Sequence, residues 1–208
     1  MTTIHLVRHG ETLWHAENRY AGISDVALTP RGLEQAQDLA GWVRRRADGG
    51  TRFDAVVTST LSRAILTARP AAAALGLEPR ADARLVEIDF GRGEGMTRAE
   101  MEGIFPEAVA AFLANPATSP LPGAERGLDA VARAREALGE ITAAHPDGTV
   151  LVVAHSTLTR ILVASLIGMD VERYRDLLPS VGNCHVTTFE LHPDGGVALL
   201  AYNVPPSA

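Results

Sequence analysis

The sequence predicts an α/β fold built on a mostly parallel sheet. Three observations carry this. Apolar, β-branched runs at 4–7, 53–57 and 149–154 each stop at polar residues. After each run, directly or beyond a polar loop, comes a stretch with helical periodicity. The run at 149–154 is apolar almost throughout, as a strand covered on both faces should be.

Composition bounds the rest. A chain of 208 residues with 46% hydrophobic content suits one sizeable domain over 1–208, with an inserted helical cap at about 96–147. No apolar run has the length of a membrane span, and the first one is too short for a signal peptide. Cys184 is the single cysteine, so no internal disulfide forms, which fits a reducing cytoplasm. Net charge is −6, and the one basic tract, Arg44-Arg45-Arg46, closes a predicted helix. Neither nucleic acid nor a membrane is expected as a partner. All 19 basic residues are Arg, which excludes lysine Schiff bases and a phosphate-loop lysine.

The first strand delivers Arg8, His9 and Gly10 at its carboxyl end. A guanidinium fork beside an imidazole suits an oxyanion, and histidine can act as nucleophile or proton carrier. A polar loop over 11–22 follows. In it Thr12 and His15 can donate to a phosphate oxygen or cap a local turn. Thr29-Pro30 opens the first helix, with Leu33, Ala36, Leu39, Ala40 and Val43 on its apolar face. The strand at 53–59 runs into Thr58, Ser59 and Thr60, a helix N-cap cluster. Arg63 then falls in a first helical turn. A cation there opposes the helix dipole, so it is either an exposed residue or one that shares an anion with the free amides. Pro70 is expected to kink or end this helix after Arg69.

Residues 84–91 read as a largely buried piece, with Glu87 and Asp89 on one face if it is extended. A buried carboxyl has a raised pKa and can serve as a general acid. The Gly-rich 91–95 lacks a strand–turn–helix frame and is a weak dinucleotide signal. Residues 96–147 form a helical layer with helices at 97–104, 106–113 and 125–144. The last turns Leu128, Val131, Ala132, Leu138 and Ile141 inward. Such an insertion would build walls of a site and set substrate choice. His155 ends the strand at 149–154, with Ser156 and Thr157 capping the next helix. Strands at 183–191 and 197–203 flank His192-Pro193-Asp194-Gly195-Gly196, a hairpin signal. Cys184-His185 reads as structural, because strand neighbours point to opposite faces.

Ligands of open parallel sheets bind beyond the carboxyl ends of the strands. That rule gathers Arg8, His9, Arg63 and His155 around one pocket suited to a phosphoryl group. No Asp/His/Glu cluster has metal-ligand spacing, so neither metal nor cofactor is expected, and Arg and His would meet the phosphoryl charge.

The stretches LVRHGET (6–12), TSTLSRAILTA (58–68), LVEIDFGRGEG (85–95) and VVAHS (152–156) together resemble the histidine phosphatase superfamily, also called phosphoglycerate mutase-like. The resemblance implies a three-layer α/β/α sandwich with one antiparallel edge strand. It implies that His9 attacks phosphorus, that Arg8, Arg63 and His155 hold the phosphoryl oxygens, and that Glu87 is general acid and then base. Thr12, His15, Gly22 and Ser156 would contact substrate. Several positions depart from the family pattern. His15 stands where Asn is common, Ser156 where Gly follows the second histidine, and Gly93 where an aromatic is usual. Gly123-Ala124-Glu125-Arg126 replaces a Gly-Glu-Ser run. These put specificity, not the core chemistry, in question. The expected function is a metal-independent phosphomonoesterase with a small phosphate monoester as its partner. The alternatives are a bisphosphoglycerate-dependent mutase, which is longer in that family, and a non-catalytic phosphate-binding module. The resemblance alone also admits a homodimer.

Overall fold

The computed structural model describes residues 1–207. Six strands form one sheet: β1 (Thr2–Arg8), β2 (Ala55–Thr58), β3 (Pro79–Ala81), β4 (Thr149–Ala154), β5 (Val186–Leu191) and β6 (Val197–Val204). Their order across the sheet is β3-β2-β4-β1-β5-β6. The helices are α1 (Pro30–Asp48), α2 (Ser62–Leu75), α3 (Arg98–Ile104), α4 (Pro106–Ala114), α5 (Gly127–Ala144), α6 (Ser156–Leu166) and the short α7 (Tyr174–Leu177).

Strand alternation builds two cores. Ile4 and Leu6 of β1, with Val150 and Val152 of β4, face one way and pack with α5 and α6. Val7, Leu151 and Val153 face the other way against α1 and α2. The result is three layers, helices on both faces of the sheet, as expected. β4 sits at the centre beside β1 in parallel register, with Val7 opposite Val153 and Arg8 opposite Ala154. His9 extends that ladder by donating to the Ala154 carbonyl at 3.0 Å. The carboxyl ends of β1, β2 and β4 therefore lie side by side.

The one antiparallel strand is β5, paired with β1, and it lies next to the edge rather than on it. The 192–196 hairpin turns the chain back, so β6 takes the edge. Strand β3 has no apolar run and left no sequence signal. Pro70 does not end α2, which continues to Leu75 and closes on a left-handed Gly76. Ala64, Ala68, Ala71 and Ala72 hold it against the α1 side of the core on both sides of the proline. Leu33 and Leu128, expected inside, are 49% and 40% exposed. Both lie in the first turn of their helix, where the buried stripe has only begun. Residues 86–90 are not a strand; two short 3-10 turns, Ala83–Leu85 and Gly91–Gly93, bracket them. Cys184 and His185 precede β5 in a turn, and Cys184 has φ 58°. No helix among the described residues is long and apolar enough to cross a membrane.

Candidate active site

His9 closes β1 and is 6% exposed. Close packing forces the glycine after it: a Cβ on Gly10 would stand 2.5 Å from the Gly32 carbonyl oxygen at the start of α1. The His9 Nδ1–H donates to the Gly10 carbonyl at 2.7 Å. That bond fixes the tautomer and leaves the Nε2 lone pair free. Burial first, then the neighbouring His155, Arg8 and Arg63, hold the imidazole pKa well below 6.5. His9 is therefore neutral, a competent nitrogen nucleophile.

His155 follows β4 and is fully buried, its ring centroid 5.2 Å from that of His9. Ser59 orients it. The Ser59 Oγ accepts from the Leu61 amide at 3.2 Å and shares a hydrogen bond with His155 Nε2 at 2.8 Å, which leaves Nδ1 as the unpaired ring nitrogen. Ser59 reads as a helix cap in the sequence, yet α2 starts from Leu61 with no side-chain cap. Ser59→Ala is expected to release the ring and lower kcat about tenfold or more while the fold persists. Unchanged kcat in steady-state assays would count against this role.

Arg63 is fully buried in the first turn of α2. It donates through Nη1 to the Ser24 carbonyl and through Nη2 to the Gly22 carbonyl, each at 2.6 Å. Its Nε has no protein partner among the described residues; the same holds for Arg8 Nε and His155 Nδ1. Two buried N–H donors and one buried ring nitrogen thus remain unpaired on the residues around His9, where most buried polar atoms are satisfied.

Glu87 lies on the loop between the two 3-10 turns. Its carboxylate accepts from Ile88 N at 2.9 Å and from Thr157 N and Leu158 N at 2.8 Å. It therefore caps α6, the role expected of Ser156 and Thr157. Burial raises its pKa, while the three amides and Arg63 pull it back only in part. Arg133 of α5 donates to the carbonyls of Arg84, Val86 and Glu87, and pairs with Glu125 at 2.7 Å, so it holds this loop in place. Asp89 instead accepts from Gly91 N at 2.7 Å within its own turn.

The expected substrate contacts divide. Arg8, His9, Glu87, Thr12, His15 and Ser156 line one cavity of about 390 Å³; Arg63, His155 and Gly22 are not part of its lining. Both His15 nitrogens are already engaged: Nε2 by Arg8 Nη2 and by Asn183 Nδ2 at 3.2 Å, Nδ1 by the Thr12 hydroxyl at 2.8 Å. His15 thus positions Arg8 rather than offering a phosphate donor. Burial and then Arg8 push its pKa down to about 4, so it is neutral at physiological pH. The Gly22 backbone is likewise committed, its N–H to Glu94 and its carbonyl to Arg63. A Cβ there would stand 2.2 Å from the Ile88 carbonyl oxygen, so Gly22 is a packing position. Glu94 secures that loop, accepting from the amides of Gly22, Ile23, Ser24 and Phe90 and from the Ser24 hydroxyl. Sequence reasoning missed Ser59, Glu94, Arg133 and Asn183. No group of three or more His, Cys, Asp or Glu residues is placed to hold a metal ion among the described residues.

Buried neutral histidines have a thermodynamic consequence. The unfolded chain takes up protons on His5, His9, His15 and His155 near pH 6.5, whereas the folded chain, with all four pKa values lowered, does so only at lower pH. Stability is thus full above pH 6.5 and lost as pH falls below it, by up to about 1.4 kcal/mol per pH unit for each histidine. Glu87, its pKa raised, opposes this with one proton as pH falls toward 4.5. Urea melts in phosphate-free buffer at pH 7.5, 6 and 5 check the slope; a flat profile would refute it.

His9, His155 and the arginines Arg8 and Arg63 are thus gathered at the carboxyl ends of the central strands of a mostly parallel sheet. Residues 4–204 match the model of the histidine phosphatase superfamily (branch 1), and the chain belongs to that family. It is 32% identical over 174 residues to phosphoserine phosphatase 1 of Hydrogenobacter thermophilus, covering 84% of this chain and 80% of that one. It is 34% identical to a probable 2-carboxy-D-arabinitol-1-phosphatase of Arabidopsis thaliana over 92% of this chain, though it spans only 39% of that longer relative. The structure of a mycobacterial glucosyl-3-phosphoglycerate phosphatase with VO3 superposes with a TM-score of 0.86 at 30% identity, covering 97% of this chain and 99% of that one.

Proposed function

We propose that the protein is a metal-independent phosphomonoesterase that hydrolyses a small phosphorylated metabolite through a phosphohistidine on His9. The observation that carries the reading is the set of three unpaired, buried nitrogens, Arg8 Nε, Arg63 Nε and His155 Nδ1, around a neutral His9. In-line attack by His9 Nε2 forms the N–P bond as the P–O bond to the leaving group breaks. Arg8 Nε–H, Arg63 Nε–H and His155 in its Nδ1–H tautomer meet charge on the phosphoryl oxygens. Glu87 gives its proton to the leaving oxygen. Its carboxylate then takes a proton from water, the hydroxide attacks phosphorus, the N–P bond breaks, and inorganic phosphate leaves.

The test is phosphate release, in excess EDTA, from sugar phosphates, phosphoglycerates and p-nitrophenyl phosphate. Release from one or more is expected. No release from any would refute the reading. If 3-phosphoglycerate were instead converted to 2-phosphoglycerate on addition of 2,3-bisphosphoglycerate, the protein would be a mutase.

A further inference from the structure

Five arginines line the cavity, Arg8, Arg19, Arg98, Arg160 and Arg175, against one acid, Glu87. Three of the five are engaged. Arg19 is paired with Glu17 and Glu100, Arg98 with Glu102, and Arg8 is held by Val181 and His15. Arg160 and Arg175 differ. Each uses only its Nε on the protein, Arg160 on the Leu178 carbonyl at 2.6 Å and Arg175 on the Tyr174 hydroxyl at 3.1 Å. Their terminal amino groups have neither a hydrogen-bond nor a carboxylate partner among the described residues.

Both guanidinium groups nevertheless lie against aromatic rings. Arg160 stands 4.9 Å from the Tyr174 ring centroid, and Arg175 stands 4.2 Å from that of Phe112 and 5.6 Å from that of Tyr174. Two cations share one aromatic ring in a half-buried place with no acid between them, in a chain that has 25 acidic residues. Burial and the charge of Arg175 weaken the hold of Arg160 on its proton, Tyr174, Tyr202 and Glu87 strengthen it, and the net direction is down. Their place is also defined. Glu87 accepts from the backbone amide of Thr157 at the start of α6, the helix that carries Arg160; both residues line the cavity and the Glu87 charge acts on Arg160. Arg160 therefore lies on the Glu87 side of the cavity, where the leaving group would extend.

We propose that Arg160 and Arg175 form a second anion subsite. It receives a negatively charged group, carboxylate or phosphate, carried on the leaving-group part of the substrate. This rests on the phosphomonoesterase reading. Planar forks pre-set by stacking suit such groups and lose little side-chain freedom on binding.

Matched pairs test it. In one, 3-phosphoglycerate is compared with glycerol 3-phosphate, in which a hydroxymethyl group replaces the carboxylate. In the other, propane-1,3-diol bisphosphate is compared with 3-hydroxypropyl phosphate. The wild type is expected to favour the charged member of at least one pair about tenfold in kcat/KM, and the pair that responds identifies the source of charge. Arg175→Met, at a half-exposed position, and separately Arg160→Met, should bring that preference to about twofold or less. No preference for either pair in the wild type, or equal loss on both members in the variants, would overturn the subsite. Should none of the esters turn over, the phosphomonoesterase reading fails on its own. The subsite is then read from calorimetric Kd ratios for the same pairs, which should show the same discrimination and the same loss in the variants; equal Kd values within each pair would overturn it.

Discussion

His9→Ala is expected to lower kcat by a factor on the order of 10⁴ or more while the protein stays folded. In the proposed mechanism the neutral Nε2 forms the covalent bond, and its tautomer is set by a single bond to the Gly10 carbonyl. Removing the ring abolishes that chemistry and leaves the three unpaired nitrogens of Arg8, Arg63 and His155 where they are. The variant should therefore still bind inorganic phosphate. The structural cost is one hydrogen bond, about 1 kcal/mol, plus the space left by the ring. Steady-state turnover together with a urea melt separates the two effects. Turnover within tenfold of wild type would show that another group attacks.

The second large effect belongs to Glu87. Glu87→Gln should lower kcat/KM for alkyl phosphates, whose leaving oxygen needs a proton, by a factor of about 10²–10⁴. For p-nitrophenyl phosphate the loss in kcat/KM should be much smaller, because that leaving group departs as a stable anion. For both substrates kcat should fall, since water attack on the phosphoenzyme needs the same carboxylate as base. The pH profile supplies a sign check. Burial raises the Glu87 pKa, so kcat/KM for alkyl phosphates should fall as pH rises through it, and the variant should lack that limb. A glutamine at this position turns an amide nitrogen toward the Thr157 or the Ile88 and Leu158 amides, at a cost of about 1–3 kcal/mol. A folding check must accompany the kinetics. Equal losses in kcat/KM on both substrate types would count against Glu87 as the acid.

Residues delivered by strand ends were legible in the sequence. Arg8, His9 and His155 each sit where a buried apolar run stops, and the parallel register of β1 and β4 brings their ends together. Arg63 could also be singled out, because a cation in a first helical turn needs an explanation. The structure supplies one the dipole argument did not contain: the guanidinium ties down the carbonyls of Ala21, Gly22 and Ser24. Glu87 was legible as a buried carboxyl, but its strand-like pattern hid a loop whose shape comes from Arg133, almost fifty residues away on α5. Asn183 donates to the His9 carbonyl only because the chain segment before β5 returns beside β1. Ser59 and Glu94 act through partners distant in sequence in the same way, so no local pattern marks them. His15 looks like a phosphate donor when read alone, and only its neighbours show that both its nitrogens are taken. Composition and periodicity locate reactive groups at strand ends; the residues that orient them are fixed by tertiary contacts.

Trapping the intermediate tests the central claim most directly. The protein, in excess EDTA, is mixed with a hydrolysed ester, quenched in alkali at times shorter than one turnover, and analysed as intact protein and as peptides. A mass increase of one phosphoryl group is expected, labile to acid, mapped to the peptide that contains His9 and missing from His9→Ala. Turnover that leaves His9 unmodified, with the label on another residue or with none formed at any quench time, would contradict a phosphohistidine mechanism on His9.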